Sequence, residues 1–518
     1  MERPFIHKSS ISEAPKSPKG DLEHPDFAAS KSPLGDLGAI KPKFQKLIVY
    51  LIPLFLLSSC RVSEPLQLPK ARTLPTSFTG NTDSTSVGNL NWKAFFSDPD
   101  LESLIDTALA RNPDLQIASQ RIEMARANFE YSRGALVPSV NAVAAAGVDR
   151  FGRYTLNGVG NFDTNLSPNI DGKQRIPDAT PEYFLGLRSN WEIDLWGKLR
   201  NRKRAAYVRF LASEKGRHLI VTSLIAEVAR LYYGLLALDS ELEILRENQA
   251  LQQRASELVV VQKAAGRVTE LAVQQFNAQL LNTRSLEAQV QQQIVETENQ
   301  LNQLLGRFPQ PIARNKTISN QELPAQISAG IPSQMLRRRP DIQQAELAME
   351  AANVDVEVAR AEFLPSLTLT PYVGLNAFRA SVLLDPASLA IGVLGGLAAP
   401  VFNRRYLKSN YSLSVAQSRE AFYGYQKTVL TGFSEVTTSL RGIENYRKVA
   451  ELQAQEVAVL GQAATISDEL FATGYASYLE VITAQRSVLA AELSLINTKR
   501  AQFLSVIDLY RALGGGWQ

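Results

Sequence analysis

Cysteine is almost missing from this chain. The single thiol, Cys60, leaves no intrachain disulfide and no CxxC-type metal site to form. Histidine is nearly as scarce, and His7, His24 and His218 are too scattered to share a metal ion. An excess of one charge is lacking as well: 55 Lys and Arg stand against 51 Asp and Glu, a formal +4, too slight to point to nucleic acid. No nucleophile–base pair or phosphate-binding glycine loop stands out. The sequence therefore offers no catalytic residue, no metal ligand and no cofactor site, and it does not read as an enzyme. Nor is there an apolar run long enough for a spanning helix. The longest, Leu47 to Leu57, falls well short of the ~20 residues a bilayer requires.

That short run carries information of its own. Lys41, Lys43 and Lys46 precede it and Leu57-Ser58-Ser59-Cys60 closes it. A basic stretch followed by about ten apolar residues is the pattern of an export signal. The closing tetrapeptide resembles a bacterial lipobox, whose cysteine becomes an acylated N-terminus. Position 61 is Arg, not the Asp that commonly retains lipoproteins in the inner membrane, so the expected address is the outer membrane. Residues 1–40, rich in Ser, Pro and Lys, do not fit a signal peptide and carry no fold signal. The next methionine after Met1 is Met124.

Downstream, the chain repeats itself. Asn112-Pro113-Asp114-Leu115 returns as Arg339-Pro340-Asp341-Ile342, and Leu136-Val137-Pro138-Ser139-Val140 as Phe363-Leu364-Pro365-Ser366-Leu367, both at an offset of 227. Later matches, from Trp196-Gly197-Lys198 with Phe402-Asn403-Arg404 to Leu305-Gly306 with Leu513-Gly514, run at offsets of 206 to 208. The drop, 227 − 206 = 21, equals the surplus of Phe151 to Pro181 over Phe378 to Ala387, 31 residues against 10. One loop explains the shift.

Each copy reads helix, strand, loop, strand, very long helix, break, helix. Glu182 to Leu195 alternates with period two, with Tyr183, Leu185, Leu187, Ser189, Trp191, Ile193 and Leu195 on one parity and residues including Arg188, Asn190, Glu192 and Asp194 on the other. Residues 366–377 show the same habit; 139–150 and 388–399 show it more weakly. Strands of this length exceed the usual ~5–6 residues and suffice to cross a bilayer at a tilt. Tyr183 and Trp191 lie toward the ends of the apolar face, as in an interfacial girdle. Four strands cannot close a barrel, and an edge open to lipid leaves backbone groups unsatisfied. Two chains give eight strands with a filled interior; three give twelve and a channel. The helices carry heptads, as at Leu224, Val228, Leu231, Leu235, Leu238, Leu242 and Leu245, and in the second copy at Val429, Phe433, Val436, Leu440 and Ile443. No proline interrupts Gly197 to Gln262, so one helix of ~65 residues, ~100 Å, is expected there.

Three separated motifs then resemble one family. They are Trp191-Glu192-Ile193-Asp194-Leu195-Trp196-Gly197-Lys198-Leu199-Arg200, Gly474…Leu479-Glu480-Val481…Ala484-Gln485-Arg486, and the terminal Tyr510-Arg511-Ala512-Leu513-Gly514-Gly515-Gly516-Trp517. From Cys60 to the C-terminus the chain is similar to the TolC family, specifically its OprM/NodT lipoprotein branch. The resemblance implies an α+β membrane protein. Its homotrimer would form a twelve-stranded β-barrel, four strands per chain, continuing into an α-helical coiled-coil periplasmic tunnel. It also implies a periplasmic membrane-fusion adaptor and an inner-membrane transporter of the resistance-nodulation-division class as partners.

On this basis residues 1–59 are an extension plus signal peptide, 60–98 a lipidated linker held to outer-membrane lipid through acylated Cys60, and 99–306 the first repeat. Residues 307–338 form an equatorial segment, 339–514 the second repeat and 515–518 a tail. The helix breaks are expected to form two hairpin tips, Gly266, Arg267, Val268 and Thr269 in one and Gly474, Tyr475, Ala476 and Ser477 in the other, with Thr269 and Ser477 as N-caps. By resemblance these tips meet the adaptor. Glu480 matches an acidic tip position of the family and in a trimer gives three converging carboxylates, which should favour cations and raise their own pKa. Three residues on, where many relatives carry Asp, stands Thr483, so a weaker acidic constriction is expected. The basic run Lys198, Arg200, Arg202, Lys203, Arg204 reads as a solvated helix face, with anionic lipid or peptidoglycan as the alternative partner. The expected function is the exit duct of an efflux system. A type I protein-secretion duct and a non-conducting coiled-coil lipoprotein are the alternatives.

Overall fold

A computed structural model describes residues 66–70, 72–78, 86–314, 317–321, 328–400 and 402–517. The signal segment and Cys60 lie outside the described residues. After a four-residue helical turn at Trp92–Phe95, the elements run in two similar series. The first is α1 (Pro99–Arg111), α2 (Pro113–Gly134), β1 (Ser139–Arg150), α3 (Leu156–Leu166), β2 (Ala179–Ile193), α4 (Lys198–Ala264) and α5 (Glu270–Leu304). The second is α6 (Pro332–Arg338), α7 (Pro340–Ala361), β3 (Ser366–Ala377), β4 (Leu389–Ala398), α8 (Arg404–Thr473) and α9 (Tyr478–Ala512). The fold is thus mostly helical with a small sheet.

Three sequence expectations shift. Residues 151–181 contain a helix, α3, whose start is capped by the Thr155 hydroxyl accepting from Gly158 N at 3.1 Å. Gly and Asn in this stretch mask an apolar spacing at Leu156, Val159, Phe162 and Leu166, all exposed. The second strand runs Ala179–Ile193, not 182–195. It passes through Pro181 because pairing with β3 begins only at Tyr183, so the proline's missing N–H interrupts no ladder on that side. Its far end stops early because Asp194 turns out to cap α4, accepting from Leu199 N at 3.1 Å and Arg200 N at 2.9 Å. The fourth strand is one residue shorter at each end than 388–399.

The sheet is antiparallel in the order β1-β2-β3-β4. Register, not composition alone, makes its faces coherent. Leu187 pairs with Ala142 and Val373, and Val373 with Ile391; Leu185 pairs with Ala144 and Leu375, and Leu375 with Leu389. One face is therefore apolar across all four strands, and Leu185, Leu187, Ile391 and Val393 are exposed on it. The other face carries Asn141, Arg188, Asn190, Thr368, Thr370 and Asn376. Among the described residues, β1 and β4 each have one unpaired edge.

The long helices form as the heptads require. Helix α4 has 67 residues and α8 has 70, each ~100 Å at 1.5 Å per residue. Val228 and Leu235 on α4 are fully buried, against a core that includes Ile105, Leu301, Val436 and Tyr510. Burial of such side chains contributes ~1.5–3 kcal/mol each and fixes which helical face turns inward. Helix α4 is also long and apolar enough to pass a composition test for a membrane span, but over half of its apolar window is buried in this core. The basic run at its start is largely exposed and partly paired: Lys198 pairs with Glu192 at the end of β2, while Arg202 pairs with Glu362 at 2.9 Å and Arg204 with Glu350 at 2.9 Å, both on the α7 side.

Candidate functional site: the paired hairpin tips

Both helix breaks are tight turns. Gly266 (φ 73°) and Gly474 (φ 89°) take the left-handed conformation that ends a helix, where a side chain would be strained. Helix α4 stops at Ala264 and α5 begins at Glu270; α8 stops at Thr473 and α9 begins at Tyr478. The eight expected tip residues are accordingly brought to two turns, with Arg267 and Tyr475 exposed and Val268 and Ala476 half-buried.

The two turns share one small core. Val259, Ala272, Val273 and Phe276 of the first hairpin pack with Phe471, Val481 and Ile482 of the second, and Val268 and Ala476 lean against them. Phe276 and Phe471 have ring centroids 6.4 Å apart. Sequence reasoning named the turn residues and missed this cluster, although Phe276 and Val481 stand at helical spacing from the breaks. Lys263 and Glu270 form an ion pair across the first turn.

Within the protomer the acidic position is held by its own helix start. Glu480 is the third residue of α9, and its carboxylate accepts from Ser477 N at 2.5 Å, reaching back over the helix start. The Ser477 amide and hydroxyl together hold its carboxyl below the ordinary glutamate range, opposite in sign to the rise expected from like charges alone. Ser477 and Thr269 both occupy N-cap positions in extended conformation, but the Thr269 hydroxyl makes no capping bond. Thr483, one turn after Glu480, is exposed on the same side of α9.

Further up the hairpins, polar groups interrupt the core between α4 and α9. Asn497 Nδ2 donates to Glu241 at 2.8 Å and Asn248 Nδ2 to Glu492 at 3.2 Å. Burial pushes both carboxyls up, and for Glu241 the Arg500 charge and the Asn497 bond offset this only in part. Gln252 is buried with neither amide atom hydrogen-bonded among the described residues. These positions resemble ordinary polar heptad residues in sequence, so only packing reveals that Glu241, Asn248 and Gln252 are buried.

The family motifs fall at joints. Trp191 Nε1 donates to the Leu136 carbonyl at 3.1 Å and Trp196 Nε1 to that of Pro365 at 2.7 Å, tying the β2–α4 junction to the turns that lead from α2 into β1 and from α7 into β3. At the C-terminus Trp517 stacks on His218, ring centroids 4.6 Å apart, while Tyr510 stacks on Phe95 at 4.0 Å. Arg339, nearly fully buried, binds Asp341, Glu435 and the Ala512 carbonyl.

A four-stranded sheet with one apolar face, joined to two helical hairpins that each carry one helix of ~100 Å and share a packed tip, is the architecture of TolC-type outer-membrane channels. The chain belongs to the outer membrane efflux protein family, whose pattern matches residues 104–307 and 331–515. Relatives include the pyoverdine export outer membrane protein OpmQ of Pseudomonas aeruginosa, 31% identical over 85% of this chain and 90% of that one. The probable outer membrane lipoprotein SilC of Salmonella typhimurium is 27% identical over 92% of this chain and 99% of its own. Among solved structures, a membrane protein from Pseudomonas aeruginosa superposes with a TM-score of 0.76 at 27% identity, covering 88% of this chain and all of that one.

Proposed function

We propose that three copies of this chain form the outer-membrane exit duct of a tripartite efflux system, passively conducting small molecules received from a periplasmic adaptor and an inner-membrane pump of the resistance-nodulation-division class. The carrying observation is the sheet: apolar across one face of all four strands, with an open edge at β1 and another at β4. In lipid those edges need partners, and three chains supply twelve strands around a water-filled lumen with the polar face inward. The long helices then continue as a tunnel to the tips. Residues Gly266 to Thr269 and Gly474 to Ser477 are the adaptor-docking surface in this reading, and Glu480 with Thr483 lines the periplasmic constriction. Cys60 carries the lipid anchor, a reading that the lipoprotein name of SilC supports. The name of OpmQ supports export of small molecules, with selection made by the pump rather than by a tube.

The test is single-channel recording of the purified lipoprotein in planar bilayers, wild type beside Glu480→Ala, with oligomer mass measured in parallel. Trimers with small cation-preferring openings, and less preference in the variant, support duct and gate together. Openings indifferent to the substitution keep the duct and move the constriction elsewhere. Silence from wild type and from a tip-loosened variant such as Phe276→Ala would overturn the duct.

A further inference from the structure

The polar face of the sheet holds an arrangement that the sequence pattern did not suggest. Register places Asn141, Arg188, Tyr372 and Gly392 side by side on neighbouring strands of that face. The Arg188 guanidinium lies 4.2 Å over the Phe184 ring, and Phe184 meets Tyr372 edge-to-face at 6.1 Å. Glycines make room for these rings. A Cβ on Gly392 would stand 2.4 Å from the Tyr372 ring, and Cβ atoms on the paired Gly186 and Gly374 would strike each other's backbone and approach Phe184 Cζ to 3.0 and 2.9 Å. The Tyr372 ring thus covers Gly392, and the Phe184 ring, edge-to-face to it, reaches over Gly186 and Gly374.

Arg188 itself is exposed and pairs with no acidic side chain among the described residues. The acids of the same parity on its strand stand off. Glu192, roughly 13 Å along, pairs with Lys198, and Glu182, roughly 20 Å along in the other direction, accepts from Asn376. Asp149 is at the far end of β1, opposite Thr180. A cation backed by the Phe184 ring, with Tyr372 and the Asn141 amide beside it in register, is therefore left without an acidic partner among the described residues.

We propose that this cluster is a binding station for anionic aromatic molecules, an aryl carboxylate or sulfonate whose charge meets Arg188 and whose ring packs on the exposed Tyr372, while the buried Phe184 supports the guanidinium from beneath. The inference rests on the duct reading, in which the polar face lines the lumen and threefold repetition sets three such stations at one level. Guanidinium donors suit a carboxylate or sulfonate in two-point contact, and the aromatic backing distinguishes an aryl anion from a small inorganic one. The station would delay and orient such cargo on its way out, without selecting it at the pump.

Isothermal titration of the detergent-solubilised trimer with naphthalene-1-sulfonate tests this without needing an open gate. Methanesulfonate and naphthalene-1-methanol are the charge-only and ring-only probes. The expected result is saturable binding of the aryl sulfonate, weakened roughly tenfold or more by Arg188→Gln and less by Arg188→Lys, with both control probes weaker than the aryl sulfonate. Binding that ignores Arg188→Gln, equal binding of methanesulfonate, or no binding to an intact trimer would each overturn the station. Failure to find a trimer at all counts against the duct reading instead. In planar bilayers the same probe should block wild-type current and spare Arg188→Gln current, and block that survives the substitution would again refute the assignment.

Discussion

Replacing Phe276 by alanine should loosen the hairpin tips without unfolding the rest of the chain. Phe276 is 1% exposed and is the largest fully buried side chain in a seven-residue cluster that joins both turns. Removing a buried phenylalanine costs about 3–5 kcal/mol, from lost transfer energy and the cavity left behind. The loss should stay local, because the next cluster along the hairpins (Leu238, Leu245, Val290 and Leu489) is separate, and the buried Gln252 between them is unsatisfied. At 1.4 kcal/mol per tenfold, even the lower figure raises the opening constant of the tips by roughly two orders of magnitude. Hydrogen exchange by mass spectrometry checks this. Protection at residues 262–276 and 471–482 should fall about a hundredfold, while the α4 core around Leu235 stays protected, and channel openings should become longer. Loss of protection spread evenly along α4, or none at the tips, would refute the claim that the tips are an independently stabilised unit.

Glu241 gives a pH prediction. Its folded pKa is raised, so the folded chain holds a proton that the unfolded chain has released between the ordinary carboxyl range and the higher folded value. Its favourable contribution is therefore complete at low pH and is lost as pH rises through the folded pKa. Glu241→Gln should raise the melting temperature at pH 7.5, with the gain shrinking toward pH 4.5; a gain independent of pH would exclude this cause. Arg339→Ala leaves Asp341 and Glu435 without their shared cation and should cost about 3 kcal/mol, near the low end for a broken buried pair because Arg511 still reaches Glu435 at 3.0 Å. Denaturant titration measures that loss. Asp194→Ala removes the cap of α4 and should cost about 1–2 kcal/mol, read as increased exchange at Leu199 and Arg200. An unchanged exchange rate there would show that the cap is redundant.

Much of this was legible in the residues because it depends on periodicity along the chain. Strand alternation in 182–195, the heptads of 224–245, the absence of proline from 197 to 262 and the glycines at 266 and 474 are local signals, and local sterics and hydrogen bonding enforce them. The family, and with it the efflux role, followed from three short motifs whose structural work is now plain: Trp191 and Trp196 fasten strands to helices, and Trp517 fastens the C-terminus to α4.

What the sequence could not supply depends on which distant segments meet. Nothing in the spacing of Glu241 and Asn497, 256 residues apart, says that they share a hydrogen bond. Helix α3 was hidden because its apolar residues are exposed rather than packed in a core, and the Gly and Asn around them mask their helical spacing. The sign of the Glu480 shift within the protomer turned on a backbone amide three residues away, which only the closed geometry of the turn delivers to the carboxylate. And the juxtaposition of Arg188, Tyr372 and Gly392 exists only through strand register, because a slip of one residue would send Arg188 to the opposite face.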